Sequence, residues 1–181
     1  MTATSVIILI VAIVVIAVLA YAFYRREHSR RLRSHFGPEY ERAFRQYGES
    51  GKAEQALEAR QKRMEKVQIR PLTDPERNRF TTEWNTVQSR FVDDPRGSIR
   101  EADRLVTEVM VARGYPMSDF DRRVDDISVD HPYVVSNYRE AHEIALSDQS
   151  GDANTEDLRR AVVCYRKLFE ELLEAHVAPR R

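Results

Sequence analysis

From Val6 to Tyr24 the chain reads VIILIVAIVVIAVLAYAFY, apolar at every position and without a charge, glycine or proline. A helix of that run rises roughly 28 Å at 1.5 Å per residue, close to a ~30 Å hydrocarbon core. In lipid only a helix satisfies its own backbone hydrogen bonds. The pattern therefore predicts a transmembrane anchor over 6–24, preceded by a short tail of residues 1–5.

Beyond Tyr24 apolar side chains recur every three or four positions, the spacing of one helix face. The anchor helix is expected to continue to about Ser34, until Gly37-Pro38 interrupts it. Pro38 then opens a second helix with Glu39 and Glu41 in its first turn, and Phe36, Tyr40, Phe44 and Tyr47 form an apolar stripe closed by Gly48 and Gly51. Lys52 to about Arg70 is helix-prone but has a thin stripe of Ala53, Leu57, Met64 and Val67. Arg60 stands where another hydrophobe is wanted, so a mostly solvated spacer is expected.

The next helices are well punctuated. Thr73-Asp74-Pro75-Glu76 has capping-box spacing and leads into Phe80, Trp84, Val87 and Phe91, the heaviest stripe in the chain and the expected centre of the core. Asp94-Pro95 opens a helix carrying Ile99, Ala102, Leu105, Val106, Val109 and Met110, which stops at Gly114. Ser118 or Asp119 caps a short helix with Val124 and Ile127, and Asp130 is expected to cap one bearing Val134, Tyr138, Ala141 and Ala145. Asn154 or Thr155 starts a last helix through about Ala175, with Leu158, Ala161, Val162, Tyr165, Leu168, Phe169, Leu172 and Leu173 inward. No period-two run of β-branched residues appears outside the anchor. The fold class is all-α: a single transmembrane helix and a bundle of about five or six further helices.

Charge refines the organisation. Residues 25–71 hold 13 Arg and Lys against 7 Asp and Glu, while residues 72–181 hold 16 against 22. A basic juxtamembrane and spacer segment, 25–71, thus precedes an acidic helical domain, 72–181. Arg25, Arg26, Arg30, Arg31 and Arg33 directly follow the anchor, and the preceding MTATS has no charged side chain. By the positive-inside bias the N-terminus lies outside and the C-terminal domain in the cytoplasm. The same five arginines suit anionic lipid headgroups. An acidic distal domain argues against nucleic acid as a partner. The rival reading of the apolar run is a cleavable secretory signal ending at Ala20-Tyr21-Ala22, against which stand its length, its uncharged start and the arginines beyond the site.

Candidate chemistry is sparse. The single cysteine, Cys164, excludes an intrachain disulfide and reads as a small buried hydrophobe. Asp148 to Glu156 alternates oxygen side chains like a calcium loop, but Ala153 and Arg159 occupy the positions that need glycine and glutamate. Asp119, Asp121, Asp125, Asp126 and Asp130 crowd beside His131, with His142 further along. Clustered carboxylates with histidine could hold a divalent cation or a ligand, so Asp125, Asp126, Asp130, His131 and His142 are the candidates. N-caps and a solvated acidic face account for them more simply. No phosphate-binding glycine loop, zinc-protease or nucleophile-elbow motif occurs, and no cofactor is implied.

The segments RFVDDPRGSIREADRLVTEVMVARGYP and SVDHPYVVSNYREAHEIAL resemble a group of uncharacterised bacterial membrane or secreted proteins with an N-terminal apolar segment. The likeness runs from Phe36 onward and implies a bacterial inner-membrane setting, with no activity attached. The expected function is a non-enzymatic, membrane-tethered interaction or scaffold module that binds a protein partner or its own copies. The alternative is a ligand- or metal-binding sensor, or a hydrolase, using the region from Asp119 to His131.

Overall fold

The computed structural model describes the backbone of residues 3–174 and the side chains of residues 10–174. Eight α-helices are present among the described residues, and no strand. The chain divides into two compact units, residues 1–57 and 58–181, and the division falls inside the third helix.

The first unit begins with α1 (Ala3–Phe36), one uninterrupted helix through the apolar run and the arginines after it. Gly37 breaks it with φ 46°, and Pro38 begins α2 (Pro38–Tyr47), which ends on a left-handed Gly48. α2 packs against α1. Leu32, Phe36, Tyr40 and Ala43 are buried in this unit, whereas Phe44 and Tyr47 stay 41% and 40% exposed. The expected four-residue aromatic stripe is therefore split: its first two members are buried, and its last two, toward the end of α2, stay exposed. α3 (Ser50–Met64) starts immediately after the turn. Gly51 lies within its first residues and terminates nothing.

The transmembrane expectation is met only in part. α1 is helical across Val6–Tyr24, but among the described residues no helix is long and apolar enough to cross a membrane. The side chains of residues 6–9 lie outside the described set, and Arg25 ends the run on the other side. Ile10 to Tyr24 rises only about 22 Å.

In the second unit α3 ends at Met64, short of the expected Arg70. The chain then turns through residues 65–67 and runs without regular structure to Thr73, tied to the end of α5 (Pro95–Arg113) by a 2.9 Å bond from the Arg70 N–H to the Arg113 carbonyl. Gly114 follows at φ 91°, and a Cβ there would stand 2.7 Å from the Gln68 carbonyl oxygen, so both backbone and neighbour require glycine. α4 (Asp74–Arg90) has the full reciprocal capping box between Thr73 and Glu76. α5 is capped by Asp94, whose carboxylate accepts from the Gly97 N–H at 2.9 Å.

α6 (Phe120–Asp130) is capped by Asp119, as its sequence signals, and α7 (Val135–Gln149) follows after a turn. Asp130 does not cap α7. It is the last residue of α6, and α7 starts on Val134 without a side-chain cap. Asn154 accepts from the N–H groups of Glu156 and Asp157 at the start of α8 (Thr155–Glu174). The expected end at Ala175 lies outside the described residues. α8 is the central element, packed on α5 and α7, with α4 against α5. Trp84 stacks on Phe169 with centroids 4.7 Å apart, and the predicted α5 stripe from Ile99 to Met110 is buried.

Candidate functional site

Two groups of side chains merit a site-level description, one in each unit. The first is the end of α1. From Ile10 to Tyr24 every large apolar side chain is more than half exposed, on all sides of the helix. Tyr21, Phe23 and Tyr24 close this band, and the arginines follow within one residue. Arg31 pairs with Glu27 at 3.6 Å, and Arg33 pairs with Glu41 at 3.4 Å while lying over the Tyr40 ring. Among the described residues Arg25, Arg26 and Arg30 have no carboxylate partner. A long helix whose polar turn is this densely basic carries its charge outward, into solvent or onto an anionic surface.

Because α2 folds back along α1, the start of α3 returns to the level of Tyr21 to Ser29. Two adjoining clefts result, of about 370 and 380 Å³, which share Arg26, Ser29 and Ser50. Tyr21, Ala22 and Arg25 complete the first, and Arg30, Arg33, Tyr40 and Glu54 the second. Glu54 is buried, and its Oε1 accepts from the Ser29 hydroxyl at 2.7 Å and the Tyr40 hydroxyl at 2.8 Å. Burial, reinforced by Glu54, raises the Tyr40 phenol above its ordinary value, so it remains a donor at neutral pH.

The second group is the acidic region around α6. Asp125 pairs with Arg60 at 2.7 Å, and Asp126 with Arg63 at 2.6 Å. Arg60 also reaches the Ser128 hydroxyl at 3.3 Å. The arginine that interrupts the α3 stripe is thus a buried ion-pair residue, not part of a solvated spacer. Asp130 accepts from the Tyr115 hydroxyl at 3.0 Å, and His131 Nδ1 lies 3.0 Å from Glu171. Burial lowers the His131 pKa, and the nearby Arg113 adds to that, while the Glu171 contact opposes it. His142 stacks on Phe120 with centroids 3.5 Å apart, and burial lowers its pKa too.

The five sequence candidates therefore have five separate partners and do not converge on one point. Among the described residues no group of three or more His, Cys, Asp or Glu side chains is placed to hold a metal ion. In the calcium-like stretch Asp148 pairs with Arg96 at 3.3 Å, Ser150 bonds Asp152, and Asn154 serves as a helix cap. The Cys164 thiol, 3.6 Å from a Glu140 oxygen, is pushed up to about 11 by burial first and then by that carboxylate, which leaves it unreactive at neutral pH.

Three polar residues were not singled out by the sequence. Asp103 accepts from the Tyr165 hydroxyl at 3.0 Å, and burial with this carboxylate raises the Tyr165 phenol strongly. Arg113 is fully buried and donates to the Leu172 carbonyl at 2.8 Å. Glu171 is the partner of His131. Only Arg113 carried a signal, as a cation in the last turn of a helix ending at glycine. No family model, curated protein or solved structure matches the chain.

Proposed function

We propose that this chain is a non-enzymatic helical interaction module tethered to a membrane by residues 6–24, in a bacterial inner membrane with the N-terminus outside and the second unit in the cytoplasm. The observation that carries it is the exposed apolar surface of α1, which surrounds the helix from Ile10 to Tyr24 and passes directly into the arginines that begin at Arg25. A helix apolar on every side belongs in a protein core or in lipid, and among the described residues of α1 only Leu32 and Phe36 are buried. Tyr21 and Tyr24 sit where an aromatic belt meets the headgroups, and the arginines follow on the side the positive-inside bias retains. Counted from Val6, the run regains the length that a bilayer demands.

An interaction role suits the second unit. Asp125, Asp126, Asp130, His131 and His142 each have a structural partner, which leaves the helical surface of an acidic domain for a partner or another copy of the chain. The test is a pair of C-terminal fusions, one active only outside the cytoplasm and one fluorescent only within it, combined with affinity capture from detergent extracts. Cytoplasmic fluorescence with a co-purifying partner or a dimer mass supports the reading. An active external reporter, or a strictly monomeric protein captured alone, contradicts it.

A further inference from the structure

We propose that the paired clefts at the α1–α3 junction form a binding site for the phosphate of an anionic phospholipid headgroup. This inference rests on the membrane reading and goes further. It assigns a specific pocket where that reading needs only diffuse attraction.

Three observations converge. The first is unsatisfied charge: Arg25, Arg26 and Arg30 line the clefts and lack carboxylate partners among the described residues, whereas Arg31, outside the lining, is paired with Glu27. Guanidinium groups recognise phosphate oxygens through paired N–H donors, so three arginines lining adjoining clefts suit a phosphate. The second is depth. The clefts are lined at one end by Tyr21 and Ala22, the last turn of the apolar band, and at the other by Arg30 and Arg33. An acyl chain lying along residues 10–22 would bring its phosphate to this level. The third is the wall supplied from outside α1. Ser50 lines both clefts, and Arg25 Nη2 stands 3.8 Å from where a Cβ on Gly51 would be, so the start of α3 stands against Arg25.

Glu54 sets the orientation. Its carboxylate lies in the second cleft, held on Oε1 by Ser29 and Tyr40. It repels an anion from that inner end and confines the phosphate to the mouth, between Arg26, Arg30 and Ser50. Free phosphate and a lipid phosphate share this chemistry. The adjoining apolar band favours the lipid.

The test uses the full chain in detergent, with bound phosphatidylglycerol counted by native mass spectrometry. The charge-matched variants are Arg26→Gln/Arg30→Gln and, on exposed positions of α2 outside the clefts, Arg42→Gln/Arg45→Gln. At about fivefold per arginine near a lipid surface, the first pair is expected to weaken lipid binding by at least about tenfold, while the second changes it less than about twofold. Equal losses in both variants would mean diffuse attraction and overturn the site. Inorganic phosphate competing as well as the lipid would reassign the cleft to a soluble anion and overturn the headgroup assignment. Alkaline extraction of the same proteins from membranes isolates the other reading. Release of the wild-type chain defeats the anchor, whereas retention with no lipid selectivity defeats only the cleft.

Discussion

Removing Arg63 should destabilise the second unit through a carboxylate three helices further along the chain. Asp126 is only 2% exposed and its oxygen lies 2.6 Å from Arg63, whose own side chain is 30% exposed. Taking one member from a buried pair costs about 3–5 kcal/mol because the other is left as an uncompensated charge. The half-open position of Arg63 puts Arg63→Ala near the lower end, about 3 kcal/mol. Asp126→Ala should cost less, about 1–2 kcal/mol, because Arg63 can turn toward water. The double variant should then cost about 3 kcal/mol, a coupling of about 1–2 kcal/mol. Trp84 is the only tryptophan and lies in this unit, so its fluorescence during urea unfolding of the full chain reports the right transition. Additivity within about 0.5 kcal/mol would refute the pair as a stabilising contact.

Other perturbations probe different parts of the structure. Phe169→Ala removes the ring stacked on Trp84 and should cost about 3–5 kcal/mol with a red shift in Trp84 emission; unchanged emission would contradict the stack. Thr73→Ala opens the capping box and should lower stability by about 1 kcal/mol in the same unfolding experiment. The Arg70 and Thr73 contacts hold the Glu76 carboxyl at about 2, below its usual 4.5. Its contribution is therefore complete above pH 4.5 and lost as pH falls through about 2, which an NMR titration of that carboxyl should display. His131 runs by the same sign for a different reason. Burial holds it neutral below the usual 6.5, so the unfolded chain takes up the proton first and stability declines as pH drops below 6.5. His131→Gln should flatten that decline in acid unfolding measurements.

Local chemistry made much of the helical plan readable. Thr73 with Glu76, Asp94, Asp119, Asn154, Gly48 and Gly114 each end or begin a helix because the signal and its effect lie within four residues. The α5 and α8 stripes were equally plain, since a face that must be buried repeats its hydrophobes at the helical period. What escaped depends on partners remote in sequence. Arg60 reads as a break in a weak stripe until Asp125 is brought to it, and Arg113 reads as a surface cation until Leu172 accepts from it. Asp130 and His131 look like a cap and a ligand, but Tyr115 and Glu171 occupy them. Phe44 and Tyr47 keep the period of Phe36 and Tyr40, yet they lie toward the end of α2 and stay exposed, since a period shows a shared face and not how far along it burial extends. The clefts beside Arg26 arise from a turn that carries Ser50 back to α1, and sequence pattern does not encode that return.

The most direct test of the account is alkaline extraction of membranes from cells making the full chain, with the intact mass of the retained protein measured in the same sample. An anchor over residues 6–24 predicts a protein that stays with the lipid at high pH and still carries its apolar run. A protein released into the supernatant, or one beginning near Phe23, would contradict it.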